Sequence, residues 1–290
     1  MLVILKIVKD LIKHDKRFSV GLFVILIVLS LAILSFFSPY GPTVRRVVSR
    51  NLLPSFEHPL GTNSLGQDIF WKLTYAIRNS LILGILVSLI SRIIATANGL
   101  LSGYVGGTTD RILSTITGSF IVIPRLPILI LLSFSLRERM SILTLVIILA
   151  VLDWAWPSKR YRAQVLSLRE REFTYTAVFS GMNTFKVVFK EHFLFLIPYM
   201  MADLISGFLW AIAMEITLSI LGLSALATPT IGTMIYWANY HQALLRGVWW
   251  WISPPIIIAV LTVVALYMLS SSISEYLDPR TRLQRIEVKA

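Results

Sequence analysis

The stretch REFTYTAVFSGMNTFKVVFKEH, residues 171–192, interrupts a chain that is otherwise a succession of apolar runs. Phe185, Val188, Phe189 and His192 recur at i, i+3, i+4 and i+7, with Lys186 and Lys190 on another face, which predicts a short amphipathic helix. An earlier helical pattern ends near Phe179, and Gly181 lies between the two. A glycine inside a helix costs about 1 kcal/mol relative to alanine, so Gly181 marks a break or a close approach of backbones. A polar, basic pair of short helices between two hydrophobic spans belongs at a membrane face. The chain is accordingly read as an all-α polytopic membrane protein, and the runs on either side of this loop set the number of spans.

The composition agrees. Of 290 residues 56% are hydrophobic and 14% charged, and the mean hydropathy is +0.75, far above that of a mixed water-soluble globule. Lys and Arg outnumber Asp and Glu by 27 to 15, a formal charge of +12. In a membrane protein such an excess sets orientation and meets anionic lipid, so membrane lipid is an expected partner and nucleic acid is not. Cysteine is absent, which excludes disulfides, thiolate metal sites and Cys nucleophiles.

Residues 18–37 carry no charge over a full bilayer width and no small-residue cleavage site follows, so a retained first transmembrane helix is expected. Before it, residues 1–17 read as a cytoplasmic amphipathic N-terminus, with Leu2, Leu5, Val8 and Leu11 at helical spacing among lysines; a surface helix and a frayed tail both fit. Five more spans are expected at 79–101, 112–135, 141–156, 198–221 and 250–274. The organisation is then an extracytoplasmic loop at 38–78, a core domain at 79–274 containing the cytoplasmic loop 158–197, and a cytoplasmic tail at 275–290. Pro157 should stop the fourth span, with Trp154 and Trp156 at the interface. With both termini in the cytoplasm, the inner segments hold 17 basic residues and the outer ones 7, the asymmetry expected of a multi-pass cell-membrane protein. No internal repeat is evident.

Charged residues inside spans are expensive in hydrocarbon and turn toward a bundle interior or an aqueous cavity. Arg92, Arg125, Asp203 and Glu215 qualify, with Asp153 near the inner interface. Counted along straight spans, Arg125 and Glu215 lie above the midplane and Arg92 and Asp203 below it. Two buried pairs are therefore expected, Arg125 with Glu215 and Arg92 with Asp203; the alternative sets these groups along a translocation path. The IPRLP setting of Arg125 bends its helix and could turn the guanidinium toward a substrate carboxylate. The stretch LGTNSLGQD at 60–68 reads as turn chemistry and a helix cap ahead of the second span, and GYVGGTTD at 103–110 as a tight turn with Asp110 as a cap. Other chemistry is missing: there is no G-x-x-x-x-G-K-[ST], no H-E-x-x-H, and the histidines at 14, 58, 192 and 241 are scattered. No enzyme activity, bound cofactor or metal is expected of this chain.

Five stretches, in order, resemble the C-type permease of dipeptide and oligopeptide ABC importers. HPLGTNSLGQDIF at 58–70 resembles that subfamily's H-P-L-G-T-D-x-x-G-R-D, and SGYVGGTTDR at 102–111 its A-G-Y-F-G-G-W-x-D turn. EITLSILGLS at 215–224 resembles its E-x-x-L-S-F-L-G-L-G, and YLDPRTR at 276–282 its L-D-P-R-x-R. The opening loop is similar to the cytoplasmic E-A-A-x-x-x-G loop, with Ala177 at the second Ala and Gly181 at the Gly. It departs at Tyr175, which stands where the glutamate would be, and at Thr176 in place of the first Ala.

The resemblance implies a type I importer permease fold of the MetI-like kind with six transmembrane helices. It also implies a second homologous permease, two ATPase subunits that bind ATP and Mg, and an extracytoplasmic substrate-binding protein. Tyr175, Ala177, Gly181, Asn183, Thr184, Phe185, Lys186 and Phe189 would then couple the chain to an ATPase. In that role Phe185, Val188 and Phe189 form an apolar ridge, and Asn183, Thr184, Lys186 and Lys190 fix its register. Peptides are the implied substrate, with oligosaccharides or nickel carried by relatives of the class. The competing readings are a secondary transporter working through Glu215 and Asp203, and a membrane scaffold.

Overall fold

A computed structural model describes residues 9–277, which are helical apart from short connections and one folded loop between the first two long helices. Asp15 caps α1 (Lys16–Leu34), its carboxylate accepting the N–H groups of Arg17 and Phe18 at 2.9 and 3.3 Å. Next comes α2 (Ile69–Val105), started by Asp68, whose side chain accepts the Trp71 N–H at 3.0 Å. The chain continues through α3 (Gly107–Val122), α4 (Arg125–Ser135), α5 (Ile142–Asp153), α6 (Ala155–Arg169) and α7 (Glu172–Phe179). The short α8 (Thr184–Lys186) runs through a π-helical turn, Val187–His192, into α9 (Phe193–Ile220), followed by α10 (Ile231–Tyr240) and α11 (Trp249–Leu277).

Four of these are long and apolar enough to cross a membrane, at Lys16–Phe37, Ile69–Val105, Tyr199–Ile220 and Trp249–Tyr276; two bent pairs, α3 with α4 and α5 with α6, raise the number to six. The chain is thus a multi-pass, all-α membrane protein. The expected spans need three corrections. The second is much longer than 79–101: its 37 residues reach about 55 Å at 1.5 Å per residue, well beyond the ~30 Å hydrocarbon core. The third does not run straight, because Ile123 is held extended (ψ 124) ahead of Pro124 and the two halves meet at 82°. Pro157 does not end the fourth span; it occupies the first turn of α6, where a missing N–H is tolerated, and the chain bends by only 41°.

The long α2 is the centre of the packing. At its cytoplasmic end as read from the sequence, Gly99 and Gly103 lie against α6: a Cβ on Gly99 would stand 2.7 Å from the Tyr161 Cβ, and one on Gly103 would stand 2.7 Å from the Val165 Cβ. This is a small-x-x-x-small contact, which lets two helix backbones approach in the absence of a water-driven force between them. On the other flank α1 packs on α11, and Leu11 joins Phe18 and Leu269 in the same cluster. The end of the N-terminal amphipathic pattern is therefore tied to the bundle, while Leu2, Leu5 and Val8, and the YLDPRTR residues beyond Leu277, lie outside the described residues. The loop before α2 is folded as well. Thr62 donates its Oγ1 to the Ser49 carbonyl at 2.7 Å, Trp250 Nε1 donates to the Thr62 carbonyl at 3.2 Å, and His58 Nδ1 lies 2.7 Å from Asp68 Oδ2. LGTNSLGQD is a buttress that seats the starts of α2 and α11 together.

Candidate functional site

Two constellations carry the predicted site residues: the loop between α6 and α9, and a set of buried charges between the helices. In the loop, α7 closes with the Met182 N–H on the Ala177 carbonyl at 3.1 Å and the Gly181 N–H on the Val178 carbonyl at 3.0 Å. This double closure needs a left-handed residue, and Gly181 supplies it with φ +80. A Cβ there would meet nothing within 4 Å, so Gly181 is a break and not a close approach. Asn183 then caps the next turn, accepting the Lys186 N–H at 2.9 Å, so its side chain serves its own helix.

The apolar set expected on one face of the second helix divides in two. Over Val187–His192 the backbone is π-wound, with more residues per turn than an α-helix, and the faces shift accordingly. Val188 and His192 are buried, whereas Phe185 is 67% and Phe189 38% exposed, their rings 4.4 Å apart. In α7, Tyr175, Val178 and Phe179 share an outward face by i, i+3, i+4 spacing and are all exposed, Phe179 at 88%. Thr174 and Ala177, on the opposite side, are buried. The residue in place of the glutamate is therefore one member of an exposed aromatic surface.

The inward side is fastened. Val188 packs with Leu100, Tyr161, Val165 and Leu196, joining the loop to α2, α6 and α9. Thr174 Oγ1 donates to the Leu168 carbonyl at 2.8 Å and so accepts from His192 Nε2 at 2.9 Å. The imidazole meets the edge of Tyr104 at 5.1 Å, and Phe173 stacks on Phe195 at 5.0 Å. Burial lowers the His192 pKa from its ordinary 6.5 and keeps the ring neutral, with Nδ1 making no hydrogen bond.

The charges inside the bundle form a different pattern from the expected pairs. Asp153 serves two guanidiniums at once: one oxygen accepts from Arg92 Nη1 and the other from Arg125 Nη1, the latter at 3.1 Å. Arg92 also donates Nε and Nη2 to the backbone carbonyl of Asp203 at 3.0 and 2.7 Å. Gly207 makes room for this approach, since a Cβ there would stand 2.4 Å from Arg92 Nη2. The Asp203 carboxylate itself pairs with Arg160. Of the expected pairs, Arg92 does meet Asp203, through its backbone carbonyl with the carboxylate turned to Arg160, whereas Arg125 binds Asp153 and not Glu215. The depth count assumed a straight third span, and the 82° break at Pro124 removes that assumption.

Arg125 also lies over the Trp210 ring, 5.2 Å from its centroid. Glu215 is fully buried and accepts from Ser219 Oγ and Thr230 Oγ1, each at 2.6 Å, which ties the start of α10 to α9. Asp110 does not cap α3 but holds Arg162 through two 2.6 Å hydrogen bonds. Arg160 and Arg162 were read as loop residues; the signal that places them in the bundle is that helix continues past Pro157, as a first-turn proline permits. Among the described residues no group of three or more His, Cys, Asp or Glu converges on a metal site. A carboxylate shared between guanidiniums on two other helices suits a shift of helices better than bond chemistry.

A family model described as "Binding-protein-dependent transport system inner membrane component" matches residues 95–283. The chain is 30% identical over 276 residues to the dipeptide transport system permease protein DppC of Bacillus subtilis (strain 168), covering 93% of this chain and 84% of that protein. It is 27% identical over 277 residues to the oligopeptide transport system permease protein OppC of Lactococcus lactis subsp. cremoris (strain SK11), covering 94% of each. Against the OppC of Mycobacterium tuberculosis (strain ATCC 25618 / H37Rv) the identity is 29% over 237 residues, 81% of this chain and 80% of that one.

Proposed function

Because the chain belongs to the family of binding-protein-dependent transport inner-membrane components, as an ABC importer permease related to those of peptide systems, we propose that it supplies half of a pathway for di- or oligopeptides. The other half comes from a second homologous permease. Two ATPase subunits lie on the side of the loop at residues 172–192, which is cytoplasmic together with residues 1–17 and the tail at 275–290. A substrate-binding protein docks on the opposite side, where residues 38–78 lie.

The observation that carries this reading is the two-sided build of the loop. Tyr175, Phe179, Phe185 and Phe189 face outward while Thr174, Val188 and His192 are buried against the bundle. Outward aromatics can fill a groove of an ATPase, and the buried side can pass its displacement to α2, α6 and α9. Register rests on Thr184, Lys186 and Lys190. Nearer the pathway, Asp153 exchanges its hold on Arg92 and Arg125 as the helices shift between access states.

The chain has no native cysteine, so Thr184→Cys introduces a unique reporter. In the assembled, transporting complex it should form a disulfide with a cysteine placed in the ATPase groove, with a yield that changes on ATP binding. A clean negative in an active complex would sink the coupling role of the loop. Substrate class is read separately, by uptake of radiolabelled dipeptides against oligosaccharides into proteoliposomes; uptake of sugar alone would replace peptides as the cargo.

A further inference from the structure

A cavity of about 250 Å³ lies between α2, α3 and α6 and shares no lining residue with the loop ridge or the Asp153 cluster. Its base is polar. Asn98 Oδ1 accepts from Ser158 Oγ at 2.7 Å, while the Thr117 hydroxyl, 3.2 Å away, donates to the Leu113 carbonyl at 2.8 Å; the amide Nδ2 has no hydrogen-bond partner among the described residues and is a donor still to be engaged. Lys159 lines the same cavity with its ammonium 5.9 Å from the centre of the Trp156 ring, and it forms no ion pair among the described residues. Arg162, also on the wall, is balanced by Asp110. The cavity therefore carries one uncompensated positive charge and unused donors. Its rim is apolar, formed by Ile121 and by Val122, which is 82% exposed.

Volume and chemistry together select the ligand. Pockets that enclose a whole small molecule measure about 300–1,000 Å³, so this one is sized for the polar end of something larger. A group that takes donors, brings one negative charge and leaves over an apolar rim is a phosphodiester on acyl chains. We propose that the cavity holds the headgroup of an anionic phospholipid, its phosphate oxygens bonded to Asn98 Nδ2 and Lys159 Nζ and its chains running over Val122. The exposed Trp156 indole is suited to the headgroup level. A zwitterionic lipid would bring a cation as well, and no carboxylate lines the cavity to meet it; Asp110, behind the wall, is already taken by Arg162.

Native mass spectrometry of the full-length chain, purified with its associated subunits in equal phosphatidylglycerol and phosphatidylcholine, tests the site. One phosphatidylglycerol should be retained per copy of the chain, with a preference over phosphatidylcholine of roughly fivefold, the contribution of one basic residue beside anionic lipid. Gly118 offers a non-disruptive block, because a Cβ there meets nothing within 4 Å. Gly118→Leu should fill the cavity and remove the retained lipid, whereas Lys159→Gln should keep a lipid but level the preference. An unchanged lipid count in Gly118→Leu, an unchanged preference in Lys159→Gln, or displacement of the lipid by inorganic phosphate alone would each overturn the proposal.

Discussion

At Asp153, one carboxylate bridges two guanidiniums that come from α2 and α4. Removing it takes the carboxylate from a fully buried Arg92, which keeps only neutral partners, and from a half-buried Arg125, and loss of one member of a buried pair is destabilising by about 3–5 kcal/mol. Asp153→Ala should therefore lower stability by that order in detergent unfolding. A double-mutant cycle of Arg125→Ala with Asp153→Ala should show coupling of about 0.5–3 kcal/mol, and one of Arg125→Ala with Glu215→Ala should add within about 0.5 kcal/mol. Coupling between Arg125 and Glu215 would restore the pairing inferred from straight spans. His192 makes a pH prediction. Its pKa is lowered from 6.5 by burial, so the docked loop prefers the neutral ring and the released loop takes a proton at the ordinary value. Docking is then at full strength above about pH 6.5 and weakens as pH falls below it. Hydrogen exchange of the amides at 187–192, corrected for intrinsic rate, should open faster at acidic pH in the wild type and lose that dependence in His192→Phe. The sequence marked these residues as costly to bury, because charge in an apolar run is visible in one dimension. Which charges meet depends on where helices break, and that information lay in Pro124 and Pro157.

At the scale of elements, the loop of residues 172–192 shows where helical periodicity succeeds and where it fails. The break at Gly181 was legible, since a glycine between two amphipathic patterns has few other uses. The division of Phe185 and Phe189 from Val188 and His192 was not, because a 3.6-residue period puts all four on one face and the π-turn at Val187–His192 does not. The contact of Gly99 and Gly103 with α6 is legible in principle from GLLSG, although its place near the end of a long apolar run hides the small-residue spacing. The aromatic face also decides what Tyr175 contributes. It lies beside Val178 and Phe179 on an exposed apolar surface, so the surface it meets should be apolar too. If the loop couples as proposed, Tyr175→Glu is expected to leave the ATPase rate of the complex in place and to reduce substrate uptake per ATP about tenfold, the effect of about 1.4 kcal/mol at one contact. Improved uptake would mean that a basic partner for the family's glutamate is still present.

For the whole molecule, the architecture turns on how the two bent pairs cross. Four helices are spans by length and composition, and the count of six holds only if α3 with α4 and α5 with α6 each traverse the bilayer. The 41° pair departs little from a straight path. At 82°, α3 with α4 has a geometry that a re-entrant loop would share. Parity separates the cases, and the absence of native cysteine makes single-cysteine labelling direct. Glu57, Glu138 and Ser180 are all exposed, in the loop before α2, the turn after α4 and the turn after α7. If both pairs cross, Glu57→Cys and Glu138→Cys react with an impermeant maleimide on intact cells and Ser180→Cys reacts only after permeabilisation. If neither crosses, Glu138→Cys changes sides and joins Ser180→Cys. If only the second pair crosses, Glu138→Cys is left alone inside and Ser180→Cys moves to the side of Glu57→Cys. The basic residues exclude the last pattern, which would put both the loop at 159–190 and the tail outside, and are compatible with the first two. Both of those patterns keep the exposed aromatic face of the loop on the side of the N-terminus, as the proposed coupling to an ATPase requires, so the labelling of three positions tests the membrane topology and the proposed direction of coupling together.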